Sequence, residues 1–442
     1  MNNTVGMVGL GCAKNQVDGE MMMASLQSAG FTLIEDPRKA DVAIVNTCGF
    51  IDAAKRESIE EILMLAKCKE AGDVKAIIVT GCLAERYREE VLKELPEVDA
   101  VVGIGADSDI VQVVKTVLAG EKAELFPEKT LLPLCGARAL TTPSYYAYLK
   151  IAEGCDNRCA YCAIPMIRGR YRSRTVENIM QEAEQLAKGG CKELILIAQD
   201  TTKYGFDLTG RLMLPELLKK LCGIDGIEWI RLLYCYPDFI TDELIDTIAQ
   251  EDKIVKYMDL PLQHCSKRLL KSMHRCGSRE ELTAMIQKMR SRIPGLILRT
   301  TFITGFPGET EEEFTELAEF AKEIRFDRLG CFAYSREEGT AAADFPDQVD
   351  EDVKQHRMEL IMEAQMNIMQ ELGEGRVGET LRVLAEGFDE ETGLWYGRSY
   401  ADSPDIDARI FFDAQGRSLE SGMFLDVEIT DCVDGDLIGE LC

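Results

Sequence analysis

The sequence predicts an α/β chain in three parts: an N-terminal parallel α/β sheet domain, a central open six-stranded partial barrel of β/α units, and a small all-β barrel at the C-terminus. Three observations predict it. Short apolar runs alternate with longer amphipathic ones at the start of the chain, a second alternation of the same kind begins at Tyr145, and the pattern shortens abruptly from Glu374 on.

In the first part the strand candidates are residues 5–10, 42–45, 76–79 and 98–102, with helical patterns at 19–29, 53–67, 87–95 and 110–118 between and after them. Residues 120–144, with Pro127, Pro133 and Pro143, read as a linker. The second alternation has strand candidates at 145–151, 193–198, 229–234, 257–262, 296–303 and 329–334, the last followed by a long helix at 351–372. Six β/α units are too few for a closed eight-stranded barrel, so an open partial barrel is expected. The tail carries five short runs, 380–385, 394–400, 408–412, 425–429 and 436–441, separated by turn signals such as Asp434-Gly435. Closely spaced short strands of this kind suggest a small closed barrel. The expected domains are 1–135, 141–373 and 374–442.

Charge narrows the partners. The 442 residues hold 50 Lys and Arg against 77 Asp and Glu, a formal net charge of −27. That field opposes an open phosphate-binding surface and attracts a basic protein. From Glu374 on there are 5 basic and 17 acidic residues, so the tail alone carries −12. A hydrophobic content of 46% argues against disorder. The sequence holds no apolar run long enough to span a membrane, and MNNTVGMVGLGC has no basic segment of the kind that opens a signal peptide. A cytoplasmic protein is expected. In that compartment 16 cysteines point to metal ligation or redox chemistry rather than to disulfides.

The strongest motif is Cys155-Asp-Asn-Arg-Cys159-Ala-Tyr-Cys162, just after a strand. Three thiolates can hold three irons of a 4Fe–4S cluster and leave the fourth open to the amino and carboxylate groups of S-adenosylmethionine. The plainer reading is a zinc site short of one ligand. Cys12, Cys48 and Cys82 each follow an apolar strand, in MVGLGC, AIVNTC and IIVTGC. The C-terminal ends of parallel strands converge on one crevice, so these three could meet at a second cluster, with zinc or three unrelated buried cysteines as the alternatives. The other ten cysteines have no paired spacing.

Gly9 and Gly11 invite a dinucleotide-loop reading, but Lys14 stands where the third glycine would fall, and the match fails. TGFPGE, from Thr304 to Glu309, follows the fifth barrel strand and lets backbone approach a ligand or simply turn. Gln199-Asp200 and Gln263-His264 also lie at strand ends where barrel sites form, and His264 could equally be a structural hydrogen bonder. Arg168, Arg170, Arg172 and Arg174 could bind a carboxylate or phosphate, or be a solvated face. Met21 to Met23 read as helix core.

With those cysteines in place, the chain resembles the radical S-adenosylmethionine methylthiotransferases over essentially its full length. Of the two branches, it is similar to the one that modifies an aspartate of small-subunit ribosomal protein twelve. The residues carrying that similarity are LGCAKNQVDGE (Leu10 to Glu20), NTCGFIDAAKRESI (Asn46 to Ile59), IAQDTTKYG (Ile197 to Gly205), DLPLQH (Asp259 to His264) and GRSYADSPDID (Gly397 to Asp407). The branch acting on transfer-RNA adenosine has GCQMN-like residues where this chain has GCAKN. Gly19 departs from the family's usual serine.

The resemblance implies an auxiliary 4Fe–4S cluster on Cys12, Cys48 and Cys82. It implies a radical-generating 4Fe–4S cluster with S-adenosylmethionine on Cys155, Cys159 and Cys162, and a substrate-recognising TRAM barrel as the tail. Tyr161 is implied near the adenine, with Ile303 and Gly305 lining the nucleoside pocket. The implied partners are ribosomal protein twelve, free or on the ribosome, and an electron donor protein, with no membrane and no direct transfer-RNA binding. A transfer-RNA-modifying enzyme of the same superfamily is the rival reading, and a non-enzymatic iron–sulfur carrier a more distant one.

Overall fold

A computed structural model describes residues 3–107, 109–129 and 135–442. Pro133, counted in the linker above, and the first two residues of the N-terminal stretch lie outside them. The N-terminal sheet has six parallel strands: β1 (Thr4–Gly9), β2 (Thr32–Leu33), β3 (Val42–Thr47), β4 (Ala76–Gly81), β5 (Ala100–Val102) and β6 (Ala123–Leu125), in the order β2-β1-β3-β4-β5-β6. β3 and β4 are buried at every position. Both faces are covered by helices, so these strands read as continuous apolar runs rather than alternating ones. The expected strands are there, but β2 and β6 were not anticipated, and β6 replaces the start of the expected linker. Two or three residues are too few to show a period.

Two helices begin earlier than their apolar pattern suggests. Ala13–Ser28 starts directly after Cys12, and Cys82–Glu94 starts on the cysteine itself. Their first turns carry Lys14, Asn15 and Glu85, and the next turn Asp18, polar residues that tertiary contacts bury. Polar residues in a buried first turn hide the period until the second turn.

The central sheet is open and parallel. Its strands are β7 (Tyr146–Lys150), β10 (Glu193–Ile197), β11 (Trp229–Leu232), β12 (Ile254–Asp259), β13 (Ile297–Thr304) and β14 (Arg328–Ala333), adjacent in chain order. β12 lies nearer the N-terminus than its sequence window, because Pro261 has no N–H to continue a ladder. A two-stranded ribbon, β8 (Ala152–Glu153) with β9 (Arg172–Ser173), brackets the cysteine loop. The tail closes as β15 (Thr380–Asp389), β16 (Leu394–Arg398), β17 (Ile410–Asp413), β18 (Phe424–Val433) and β19 (Asp436–Leu441), in the order β15-β16-β17-β19-β18.

The tail is seated on the strand-start end of the central sheet. Glu193, the first residue of β10, accepts from Arg231 Nε and Arg398 Nη2, each at 2.7 Å. Trp229 meets Phe424 edge-on at 4.7 Å. The connection from β16 to β17 reaches further in, where Asp407 accepts from Tyr257 Oη and Arg299 Nη1, each at 2.7 Å. From the N-terminal side, Val17 and Met21 join an apolar cluster with Tyr148, Ile195, Tyr257 and, from the tail, Ala401. The open barrel is thus filled by its neighbours, and its C-terminal strand ends are left to face the N-terminal sheet. Among the described residues, no helix is long and apolar enough to cross a membrane.

Candidate active site

Cys12, Cys48 and Cys82 follow β1, β3 and β4, which lie side by side. β4 passes into the next helix through Gly81, with φ of +90°, where a Cβ would meet Thr47 O at 2.4 Å. Only glycine permits that turn so close to β3. A Cβ on Gly11 would stand 3.1 Å from Cys48 Sγ, so the segment carrying Cys12 runs against Cys48. Cys48 N donates to Ser58 Oγ at 3.0 Å.

The three thiols feel one another's charge, but they do not ionise alike. Burial pushes Cys82 up to about 12 and also raises Cys48. At Cys12 burial again opposes ionisation. There the charges of Lys14 and Arg168, with the backbone N–H groups of Asn15 and Lys14 at the helix start, outweigh it and hold the thiol below its ordinary value.

The second trio sits in the loop between β8 and β9. Cys155 N donates to Gly169 O at 3.1 Å, Ala160 N to Met273 O at 3.0 Å, and Cys162 N to Cys159 O at 3.0 Å. Asn157 Nδ2 ties the loop to Asp200 Oδ2 at 2.8 Å. Burial pushes Cys155 up to about 11 and raises Cys162 further, and each feels the charge of Cys159. Arg275 Nη1 lies 4.0 Å from Cys159 Sγ, and its guanidinium stacks 4.2 Å from the centre of the Tyr236 ring. Tyr236 Oη is 3.9 Å from the same sulfur.

A buried charge network joins the two trios. Arg168 donates through Nη1 to Asp18 Oδ2 at 2.9 Å and Glu153 Oε1 at 3.0 Å, and its Nη2 lies 3.7 Å from Cys82 Sγ. Lys150, at the end of β7, pairs with Asp18 and with Glu153. Burial beside Asp18 and Glu153 pushes Asp107 up to about 7. Lys14 is buried against the face of Tyr234, its ammonium 3.1 Å from the ring centre, and burial lowers its pKa.

The donor chemistry of each trio fits an iron–sulfur cluster. Each offers three thiols with one buried guanidinium beside a sulfur, and a cluster on thiolates is anionic and needs such a counter-charge. Among the described residues, no three His, Cys, Asp or Glu side chains are gathered tightly enough to hold a single metal ion. Gln199 Oε1 is buried without a partner while its Nε2 donates to Glu153 Oε1 at 3.2 Å, leaving an unmet acceptor near the cysteine loop.

The other sequence candidates separate. Tyr161 and Ile303 meet in one small apolar cluster with Phe306 and Tyr334, and Tyr161 Oη accepts from Arg275 Nη1 at 3.5 Å. Gly305 makes room for a side chain, since a Cβ there would meet Lys354 Cγ at 2.1 Å. His264 is fully buried. Its Nδ1 accepts from the N–H groups of Cys265 and Ser266 at 2.9 Å, so Nε2 is the protonated nitrogen facing Glu309 at 3.2 Å. It is a structural hydrogen bonder. The arginine run does not form one face: Arg168 and Arg174 are buried in ion pairs, whereas Arg170 is exposed and pairs with Asp156 at 3.3 Å. Gly19 packs tightly, with Asn46 Nδ2 and Met7 Sδ each 3.0 Å from where a Cβ would stand.

Sequence reasoning missed Arg275, Tyr234, Tyr236, Asp18, Lys150 and Glu153. Only Lys14 left a trace, as the residue that breaks the glycine pattern.

Three family descriptions match in succession: "Uncharacterized protein family UPF0004" over residues 4–103, "Radical SAM superfamily" over 149–321 and "TRAM domain" over 377–442. Curated relatives match end to end. The "Ribosomal protein uS12 methylthiotransferase RimO" of Thermoanaerobacter sp. (strain X514) is 50% identical over 437 residues, covering 99% of both chains. The protein of that name from Clostridioides difficile (strain 630) is 48% identical, covering 99% of this chain and 98% of its own. Among solved structures, the radical S-adenosylmethionine methyltransferase TsrM from Kitasatospora setae superposes with a TM-score of 0.56 at 13% identity, covering 75% of each chain. At that identity the likeness is one of fold.

Proposed function

This chain belongs to the radical S-adenosylmethionine methylthiotransferases of the RimO type, and from that premise we propose that it adds a methylthio group to the β-carbon of an aspartate in ribosomal protein uS12. Cys155, Cys159 and Cys162 hold a 4Fe–4S cluster that leaves one iron for S-adenosylmethionine, with Tyr161, Ile303 and Gly305 lining the nucleoside pocket. Cys12, Cys48 and Cys82 hold a second 4Fe–4S cluster. When bound, these groups supply a carbon radical able to take hydrogen from an unactivated C–H bond, together with the sulfur and methyl that replace it.

The chain's own residues do the rest. Arg275 and Arg168 set a buried positive charge beside each trio. The tail plugs the strand-start end of the barrel, and the N-terminal domain packs against the central one through Asp18 and Cys82, both of which meet Arg168. The working units are residues 1–135, 141–373 and 374–442, and the enzyme works in the cytoplasm with an electron donor protein.

The observation that carries the choice of a basic protein as substrate lies on the tail. Asp413, Glu440 and Glu428 are register partners across β17, β19 and β18, and all three are exposed. Like charges abreast destabilise a sheet and repel phosphate, but suit a basic partner. The test compares uS12 and hydrolysed transfer-RNA nucleosides, by mass, from cells with and without this gene. Loss of the methylthio mass from uS12 alone is expected. Loss from an adenosine alone would overturn the reading.

A further inference from the structure

Besides the Arg168 network, a second junction ties the N-terminal domain to the central one, and it centres on Glu337. This residue follows β14 and is 2% exposed. Its Oε2 accepts from Arg86 Nη1 at 2.6 Å and from Lys55 Nζ at 3.1 Å, and its Oε1 from Ser335 Oγ at 2.7 Å. Burial opposes ionisation of the carboxyl, but those three donors outweigh it and hold the group below its ordinary value of 4.5. Both cations come from the N-terminal domain, and the carboxylate from the central one.

Each side of the junction runs to a cysteine trio. Arg86 stands about one turn after Cys82, on the helix that begins there, and Lys55 stands on the helix Asp52–Ala71 that follows Cys48. Arg86 Nη1 also donates to the carbonyl of Gly49, the residue after Cys48, at 3.0 Å. A Cβ on Gly49 would meet Leu83 Cα at 2.7 Å, so the segments carrying Cys48 and Cys82 are pressed together there. Across the junction, Arg86 Nη2 donates to Glu338 O at 2.8 Å, and Thr340 Oγ1 closes a turn onto Glu337 O at 2.6 Å. Just beyond that turn, Ala342 N donates to Ala160 O at 2.8 Å, inside the loop between Cys159 and Cys162. Tyr334 and Ala342 pack with Ala160 and Tyr161 in one apolar cluster. The segment from 334 to 342 therefore holds the Cys155–Cys162 loop with its backbone and apolar side chains, and the helices after Cys48 and Cys82 with one carboxylate.

We infer that Glu337 is a positioning residue: clasped by Arg86 and Lys55, it sets the Cys12, Cys48 and Cys82 trio at a fixed distance and angle from the Cys155, Cys159 and Cys162 loop. The inference rests on the functional reading above, in which hydrogen removal at one trio and sulfur delivery at the other act on one carbon. Two packed bodies keep a fixed angle only through contacts at more than one place, and Glu337 supplies one that reaches both trios. A misplacement of about 1 Å between reacting groups costs on the order of a hundredfold in rate. Loosening this clasp should therefore spare the first step and starve the second.

The test uses enzyme reconstituted with both clusters and full-length uS12, and compares wild type with Glu337→Gln, Arg86→Met and the double variant. Two products are counted: 5′-deoxyadenosine and methylthiolated uS12. Glu337→Gln is expected to raise the ratio of the first to the second by about tenfold or more. Arg86→Met should do the same, and the double variant should be no worse than either single one, because all three break one contact. A role in folding alone would lower both products together and leave the ratio unmoved, which overturns the inference. Additive effects of the two substitutions on the ratio overturn it as well. If Glu337→Gln fails to fold with two cations left facing no carboxylate, the double variant, which removes charge of both signs, supplies the ratio. A readout free of turnover is amide hydrogen exchange in the reconstituted enzyme without substrate. Exchange should quicken in Glu337→Gln at residues 334–342 and around Gly49, and stay as in wild type in β10 and β11; unchanged exchange at the first two places overturns the clasp. A wild type that methylthiolates no uS12 would overturn the functional reading, which is a separate failure.

Discussion

The two cysteine trios are assembled by opposite routes. Cys155, Cys159 and Cys162 come from a single loop held between two short strands, which Asp200, Tyr236, Met273 and Arg275 from further along the barrel hold in place. Cys12, Cys48 and Cys82 come from the ends of three strands and are neighbours only because β1, β3 and β4 lie side by side. The loop brings its ligands together by local geometry, while the sheet does so by long-range pairing. Their electrostatics differ as well. Burial raises Cys155 and Cys162, whereas Cys12 is lowered against its burial by Lys14, Arg168 and the helix start. A dispersed site can recruit cations from several elements, and a compact loop has fewer to draw on.

The largest effect expected from this contrast is on chemistry. Cys155→Ala should abolish cleavage of S-adenosylmethionine, measured as 5′-deoxyadenosine. Cys48→Ala should retain some cleavage but yield no methylthiolated product. Equal product from Cys48→Ala and wild type would sink the role given to the dispersed trio.

Next comes the link between the trios. Arg168→Met leaves Asp18 and Glu153 with Lys150 as their one remaining ion-pair partner in that network, and should cost about 3 kcal/mol in denaturant unfolding. A loss under about 1 kcal/mol would mean that Lys150 alone satisfies both carboxylates and that the trios are less tightly joined than the geometry suggests.

The smallest effect tests a clamp distant from both trios. Burial opposes ionisation of Glu193, but Arg398 and Arg231 outweigh it and hold the carboxyl below its ordinary value of 4.5. A depressed carboxyl contributes stability above its unfolded-state pKa, and that contribution is lost as pH falls through the folded-state value. Glu193→Gln should therefore be about 2 kcal/mol less stable than wild type near neutrality, with the gap narrowing on acidification below the ordinary carboxylate range. A gap that stays constant with pH would show that packing, rather than the ion pairs, fixes the tail to the barrel.

What could be read from residues alone follows from distance along the chain. The six central strands, the five tail strands and the Cys155–Cys162 loop are local patterns, and hydrophobic period or ligand spacing exposes them. The early helix starts escaped because Lys14, Asn15 and Asp18 are buried by partners far away in sequence, as Asp18 is by Lys150 and Arg168. Arg275 escaped because nothing near it in sequence hints that it stacks on Tyr236 beside Cys159. His264 sits at a strand end where barrel sites form, and only the structure shows that it is tied to Glu309.

The sequence by itself determined the three-part architecture, the ligand types and the charge of the tail, since composition, period and spacing are properties of neighbouring residues. Only the tertiary structure decided which charges are buried, which are paired, and that Lys14 stacks its ammonium on the Tyr234 ring. Desolvation and ion pairing depend on what the rest of the chain packs around a group, and no local pattern encodes that.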